Sequence, residues 1–165
     1  MQIPMGLRLT PIVLVLLAGN AFAQGGDRAA ILALMQQAFD AVSSGNPDDW
    51  RAIQLAEGTS ISFRPSPSGN SGKMRMRMTT NEAEAVSAGE TDGNHENIER
   101  WTSDPTIMIR GPIAAVWGEY EYWIDGEFSH CGIDSVQLAN VKGEWKIANW
   151  VWTVEKDNCP TDPSG

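Results

Sequence analysis

Residues 112–155 read PIAAVWGEYEYWIDGEFSHCGIDSVQLANVKGEWKIANWVWTVE. Aromatic and β-branched residues dominate the stretch, and the pairs Asp125-Gly126 and Lys142-Gly143 punctuate it with turn signals. The spacing predicts a three-stranded antiparallel meander with tight turns. With Asp125 and Gly126 at the turn centre, Ile124 faces Glu127, and counting outward sets Glu121 opposite His130 and Trp117 opposite Asp134. The same count through the second turn sets Val151 opposite Asp134, Asn149 opposite Val136 and Glu155 opposite His130. Trp117, Glu121, His130, Asp134 and Asn149 then share one face, with Tyr120, Tyr122, Trp150 and Trp152 on the other. Carboxylates and an imidazole are costly in a plain core and suit a pocket lining better, which makes those five the candidate ligand-binding residues.

Within that face, His130 and Asp134 are four residues apart on one strand, about 13 Å at a rise of ~3.3 Å per residue, so they form no direct dyad. Glu121 beside His130 would favour imidazolium and supply a general acid or base near neutral pH, although a rim ion pair at the sheet end would use the same residues. Asp134, flanked by Ile133 and Val136, is expected to be buried and to need a donor: Trp117, Asn149 or a ligand. His130 and Asp134 are therefore the candidate catalytic residues.

Upstream, Ile31, Leu34, Met35, Ala38, Phe39 and Val42 recur at helical spacing between Asp27, a candidate N-cap, and Gly45. Asn46-Pro47 opens a shorter helix closed by Gly58. Residues 59–64 read as a short strand. Residues 73–78 alternate strictly between Lys73, Arg75, Arg77 and three methionines, as in an edge strand with methionine inward and charge in water; a ligand-binding basic patch is the other reading. Thr79 or Thr80 caps a further helix, and residues 96–103 and 106–110 complete the strands. Helices first and a long sheet afterwards describe an α+β domain.

The first 23 residues read as an export signal: Arg8, an apolar run from Pro11 to Ala18, and Ala21-Phe22-Ala23 before Gln24. The expected layout is a signal over 1–23, one domain over 24–159 and a loose tail over 160–165, with the mature chain in the periplasm or the medium. Twelve Lys+Arg against 21 Asp+Glu, a net charge of −9, argue against nucleic acid or an anionic membrane surface as partner. Two cysteines, Cys131 and Cys159, make a disulfide possible in an oxidising compartment, yet the register leaves Cys131 opposite Val154, short of Cys159. A bridge, or one buried thiol and one tail thiol, both stay open. The sequence contains no C-x-x-C, H-E-x-x-H, G-x-S-x-G or phosphate-binding glycine loop, and nothing in it demands a cofactor or metal.

The turn SSGNPDDW after the first helix, GPIAAVW at 111–117, Asp125-Gly126, FSHCG at 128–132, Asp134 and GEWKI at 143–147 resemble the nuclear transport factor two-like superfamily. The nearest likeness is to small exported bacterial proteins of the SnoaL-like and lumazine-binding types, across nearly all of the mature chain and most clearly from Ile98 onward. The resemblance implies a cystatin-like cone, with N-terminal helices packed on a strongly bent antiparallel sheet around a pocket, often in a homodimer formed through the sheet. Such folds host isomerases, cyclases, dehydratases and pure binders, so activity is not implied. The isomerase set of a Tyr and a protonated Asp as oxyanion donors with a carboxylate base is not matched, since Tyr120 and Tyr122 fall on the sheet face opposite to that of His130 and Asp134. The leading expectation is an exported pocket protein for a small hydrophobic or aromatic molecule. The alternatives are an isomerase-, cyclase- or dehydratase-like enzyme using His130 or Asp134, or an interaction module whose exposed Tyr120, Tyr122, Trp150 and Trp152 bind a partner.

Overall fold

The computed structural model describes residues 18–66, 73–89, 95–157 and 159–160. Most of the expected signal, the tip of the 65–72 loop and the tail beyond Pro160 lie outside the described residues.

Helix α1 spans Ala18–Ser44, α2 Pro47–Ile53 and α3 Asn81–Gly89; the strands are β1 Gln54–Pro65, β2 Met74–Thr80, β3 Asn97–Trp101, β4 Thr106–Arg110, β5 Ile113–Ile124, β6 Glu127–Val141 and β7 Glu144–Thr153. One open sheet runs β2-β1-β7-β6-β5-β3, with β4 pairing the first half of β5 and β3 its second half. All pairs are antiparallel except β1 with β7, so the expected antiparallel sheet is mixed; the crossover between those two strands is long enough to allow a parallel neighbour. Asp27 does not cap α1, which already runs past it; its Oδ1 instead accepts a hydrogen bond from Trp145 Nε1 at 3.1 Å. Asn46 caps α2 through Asp48 N, and Thr80 caps α3 through Ala83 N. Gly58 does not end α2, because β1 begins at Gln54 and takes in the whole segment.

Both meander turns have positive φ at each central residue, 53° and 79° at Asp125-Gly126, 56° and 93° at Lys142-Gly143, as type I′ hairpins require. Beside the turns the pairing is as counted: Ile124↔Glu127, Trp123↔Phe128, Val141↔Glu144, Leu138↔Ile147. One extra residue then enters each ladder, Ser129 on β6 and Ala148 on β7. Each bulge shifts the register by one and turns every later side chain to the opposite face. Tyr122 faces His130, Glu121 faces Cys131, Trp117 faces Ser135, and Asp134 lies between Gly118 and Trp152.

β1 carries a matching irregularity between Gln54 and Thr59, beside that of β7. Buried Asn81 ties the two together: Nδ2 donates to Leu55 O and Ala148 O at 2.9 and 3.2 Å, and Oδ1 accepts from Ser60 Oγ at 2.9 Å. Gly58 makes this close approach possible, since a Cβ there would lie 1.9 Å from Ala148 O and 2.3 Å from Asn81 Nδ2. The inner sheet face packs on α1, with Ile31, Leu34, Met35, Ala38 and Phe39 against Val116, Val136, Leu138, Ile147 and Trp150. The outer face carries no helix and exposes Met76, Met78, Met108, Ile113 and Trp117. Methionine on β2 is thus not inward: β2 pairs only β1, at the sheet edge, and its methionines project to the uncovered side.

Cys131 and Cys159 are bonded, with Cα atoms 5.7 Å apart. Cys131 and Glu155 exchange both backbone hydrogen bonds, at 3.0 and 2.8 Å, in the register of β6 with β7, so the ladder runs on to Glu155; the chain returns only after it, with Cys159 Sγ 3.5 Å from Glu155 O.

Candidate functional site

Because β6 is slipped past its bulge, Tyr120, Tyr122, His130 and Asp134 share the inner face with Trp150 and Trp152. The expected separation of the tyrosines from His130 and Asp134 is therefore wrong. Two glycines let aromatic rings pack directly on the strands. Trp101 lies over Gly118, where a Cβ would meet its ring at 2.7 Å. The Tyr120 ring crosses Gly132 so that its hydroxyl donates to Thr153 O at 2.6 Å; a Cβ on Gly132 would lie 2.8 Å from that ring and 2.0 Å from the same carbonyl.

Asp134 is 1% exposed in mid-strand. Its Oδ1 accepts from Trp150 Nε1 at 2.7 Å, while Oδ2 has no N–H or hydroxyl donor among the described residues. The remaining side-chain partner is the carboxyl of Glu99, on β3 opposite Tyr122. Their partners on β5, Tyr122 for Glu99 and Gly118 for Asp134, are four residues apart. Two carboxyls in this setting cannot both ionise cheaply, and a proton between them satisfies both. Burial and the charge of Asp134 hold the Glu99 carboxyl well above the ordinary range. Burial also pushes Asp134 up, to about 7, against the lowering effect of the hydrogen bonds from Trp150 and Glu99. Asp134 thus titrates near neutral pH, the tuning a general base requires.

His130 stacks on Tyr122, with ring centroids 4.7 Å apart and 17° between planes, and meets Tyr120 edge-on. Burial, followed by the charges of Arg64 and Lys156, lowers its pKa to about 4, so it is neutral at pH 7. The expected Glu121–His130 pair does not form, and with it goes the expected imidazolium. Glu121 is on the outer face, where it is buried and ion-paired with Arg100 of β3. Trp117 also faces outward, 54% exposed, and Trp150 takes the donor role expected of it. Asn149 faces outward too, holding the ladder through Thr59 N and Gln137 Oε1 at 3.1 and 2.9 Å.

Of the five expected lining residues, only His130 and Asp134 thus reach the inner face. Tyr120 and Trp150 are nearly inaccessible and Tyr122 and Trp152 part-buried, so no exposed aromatic surface of the kind expected for an interaction module exists there. Glu99 was missed because residues 97–101, NIERW, read as an ordinary alternating strand; its one signal is a carboxylate that shares its strand face with Trp101.

No family model and no curated protein matches the chain. Solved structures do. A nuclear transport factor 2-like superfamily protein from Salmonella enterica is similar at 13% identity over 87% of this chain and 98% of that one, with a TM-score of 0.61. An NTF2-like protein with a cystatin-like fold from Novosphingobium aromaticivorans is similar at 10% identity over 88% and 92%, with a TM-score of 0.62. A protein of unknown function from Mycobacterium tuberculosis is similar at 15% identity over 90% and 82%, with a TM-score of 0.64.

Proposed function

We propose that this chain, which has the nuclear transport factor 2-like, cystatin-like fold, is an exported pocket protein that receives a small hydrophobic or aromatic molecule on its inner sheet face. The observation that carries this reading is the Glu99–Asp134 carboxyl pair beneath Tyr120, Tyr122, His130 and Trp152. Setting a buried carboxyl beside a half-buried one is a cost that a structural core gains nothing from, whereas a few polar groups under an aromatic lining are what orient a bound molecule. Titration of a broad set of small aromatic compounds against intrinsic tryptophan fluorescence tests it. Saturable quenching that weakens in Asp134→Asn is expected; no saturable change with any of them would count against the reading.

The same carboxyl pair supports a second reading, an isomerase-, cyclase- or dehydratase-like enzyme. Asp134 would take a proton from a carbon acid or hydroxyl and return it to the product, with Glu99 supplying the hydrogen bond that steadies the carboxylate. His130, neutral and stacked, would position the substrate rather than move the proton. Asp134→Asn would then abolish turnover with the fold intact, and His130→Ala would mainly raise KM.

Export rests on residues 1–23, and a homodimer through the outer face is the partner this reading includes. One row across the sheet, Met78, Ile61, Val151, Ser135, Trp117 and Thr106, supports the latter: it is largely apolar and has no helix over it. Light scattering should give twice the chain mass and, for Trp117→Arg, the chain mass alone.

A further inference from the structure

The edge of the inner face carries unanswered positive charge in a chain of net −9. Arg64 on β1 and Arg75 on β2 stand directly opposite one another. Their side chains point to the helix side, because Ser60 and Ser62 on the same face of β1 are buried there beside Trp150 and Trp152. Like charges facing across an antiparallel pair destabilise it. Among the other arginines, Arg51 pairs with Glu82 and Asp48, Arg77 with Glu84, and Arg100 with Glu121. Arg64 and Arg75 have no acidic partner within ion-pair distance among the described residues. The Arg64 charge is felt by Tyr120, Tyr122 and His130, and that of Lys156 by His130, so Arg64, with Arg75 opposite it, stands beside the aromatic lining.

The site is thus polarised along its depth, with cations at the edge and an anionic, proton-sharing carboxyl pair at the floor. Building on the pocket reading, we infer that the molecule it takes is a small aromatic acid, whose anionic group rests against Arg64 and Arg75 and whose ring lies along Tyr122 and His130. Guanidinium groups receive a carboxylate in a forked, charge-assisted geometry, and two of them facing each other can hold one anion. The floor repels an anion, so the ligand has one favourable orientation: charge outward, with its far edge, a hydroxyl or an acidic C–H, against Asp134.

The test compares two isosteric probes, 2-naphthoate and the neutral 2-naphthamide, by tryptophan quenching of the purified protein at low and at high salt. Naphthoate should bind about tenfold tighter at low salt, as a charge-assisted contact warrants. That preference should shrink at high salt and vanish in Arg64→Gln/Arg75→Gln with the amide affinity unchanged. Both arginines are exposed, so the double variant should fold, and near-UV circular dichroism checks it. Equal affinity for the two probes, or a preference that survives the double variant, overturns the inference and leaves the pocket reading standing. If neither probe saturates, the inference is overturned, and the pocket reading falls with it where the broad aromatic set is silent as well.

Discussion

Asp134 governs the energetics of the site, and its effect on stability has a definite sign. Its folded pKa of about 7 lies above that of an exposed carboxyl, so the folded chain holds its proton more tightly than the unfolded chain does. Its contribution is therefore fully present below the unfolded value of about 4 and is lost as pH rises toward 7. His130 acts the other way: lowered to about 4, it costs stability as pH falls from about 6.5 to 4. Asp134→Asn should raise the melting temperature at pH 8 relative to the parent, by removing a buried charge, and lose that advantage at pH 4. Thermal unfolding at both values checks this, and a variant destabilised equally at each would show that the carboxyl is simply a structural hydrogen-bond partner. His130→Phe, which keeps the ring stack, should flatten the acid limb between pH 6.5 and 4. Neither residue's setting was legible in the sequence: which face it occupies depends on a bulge at Ser129, and no residue type announces one there.

Elements were more legible than faces. Asp125-Gly126 and Lys142-Gly143 declared type I′ turns because few other residue pairs accept two successive positive φ angles. The first residues of each hairpin paired as counted, and α1 buried five of the six residues its periodicity singled out. The reading failed one residue past each turn's neighbourhood. Bulges are held by distant contacts, here Asn81 reaching Leu55 and Ala148, and such contacts have no local sequence signature. Those contacts make a prediction of their own. Gly58→Ala, whose Cβ would be driven into Ala148 O, should cost about 1–3 kcal/mol or more as an overpacked site, read as a lowered denaturation midpoint. Serine at position 58 should do no better, and a silent Gly58→Ala would mean that the β1 and β7 irregularities are not locked together.

At the scale of the molecule, one bent sheet has an aromatic, polarised inner side partly covered by α1 and an uncovered apolar outer side, with the tail fastened by the disulfide. Closing a loop of 28 residues, Cys131–Cys159 should contribute roughly 3–4 kcal/mol on the chain-entropy estimate. Cys131→Ser/Cys159→Ser should unfold at correspondingly lower urea with ligand affinity little changed, since the bridge lies on the outer face. A large loss of affinity would instead tie the tail to the site. The class of fold could be read from the order of helices and strands, but the site could not, because its two carboxyls come from β3 and β6, which lie on either side of β5. The most direct measurement is therefore a carboxyl-carbon NMR titration of Glu99 and Asp134 from pH 3 to 9. Asp134 should titrate near 7 while Glu99 stays protonated through neutrality. Two independent midpoints in the ordinary carboxylate range of about 4 would mean the pair shares no proton, and the account of the site would fall.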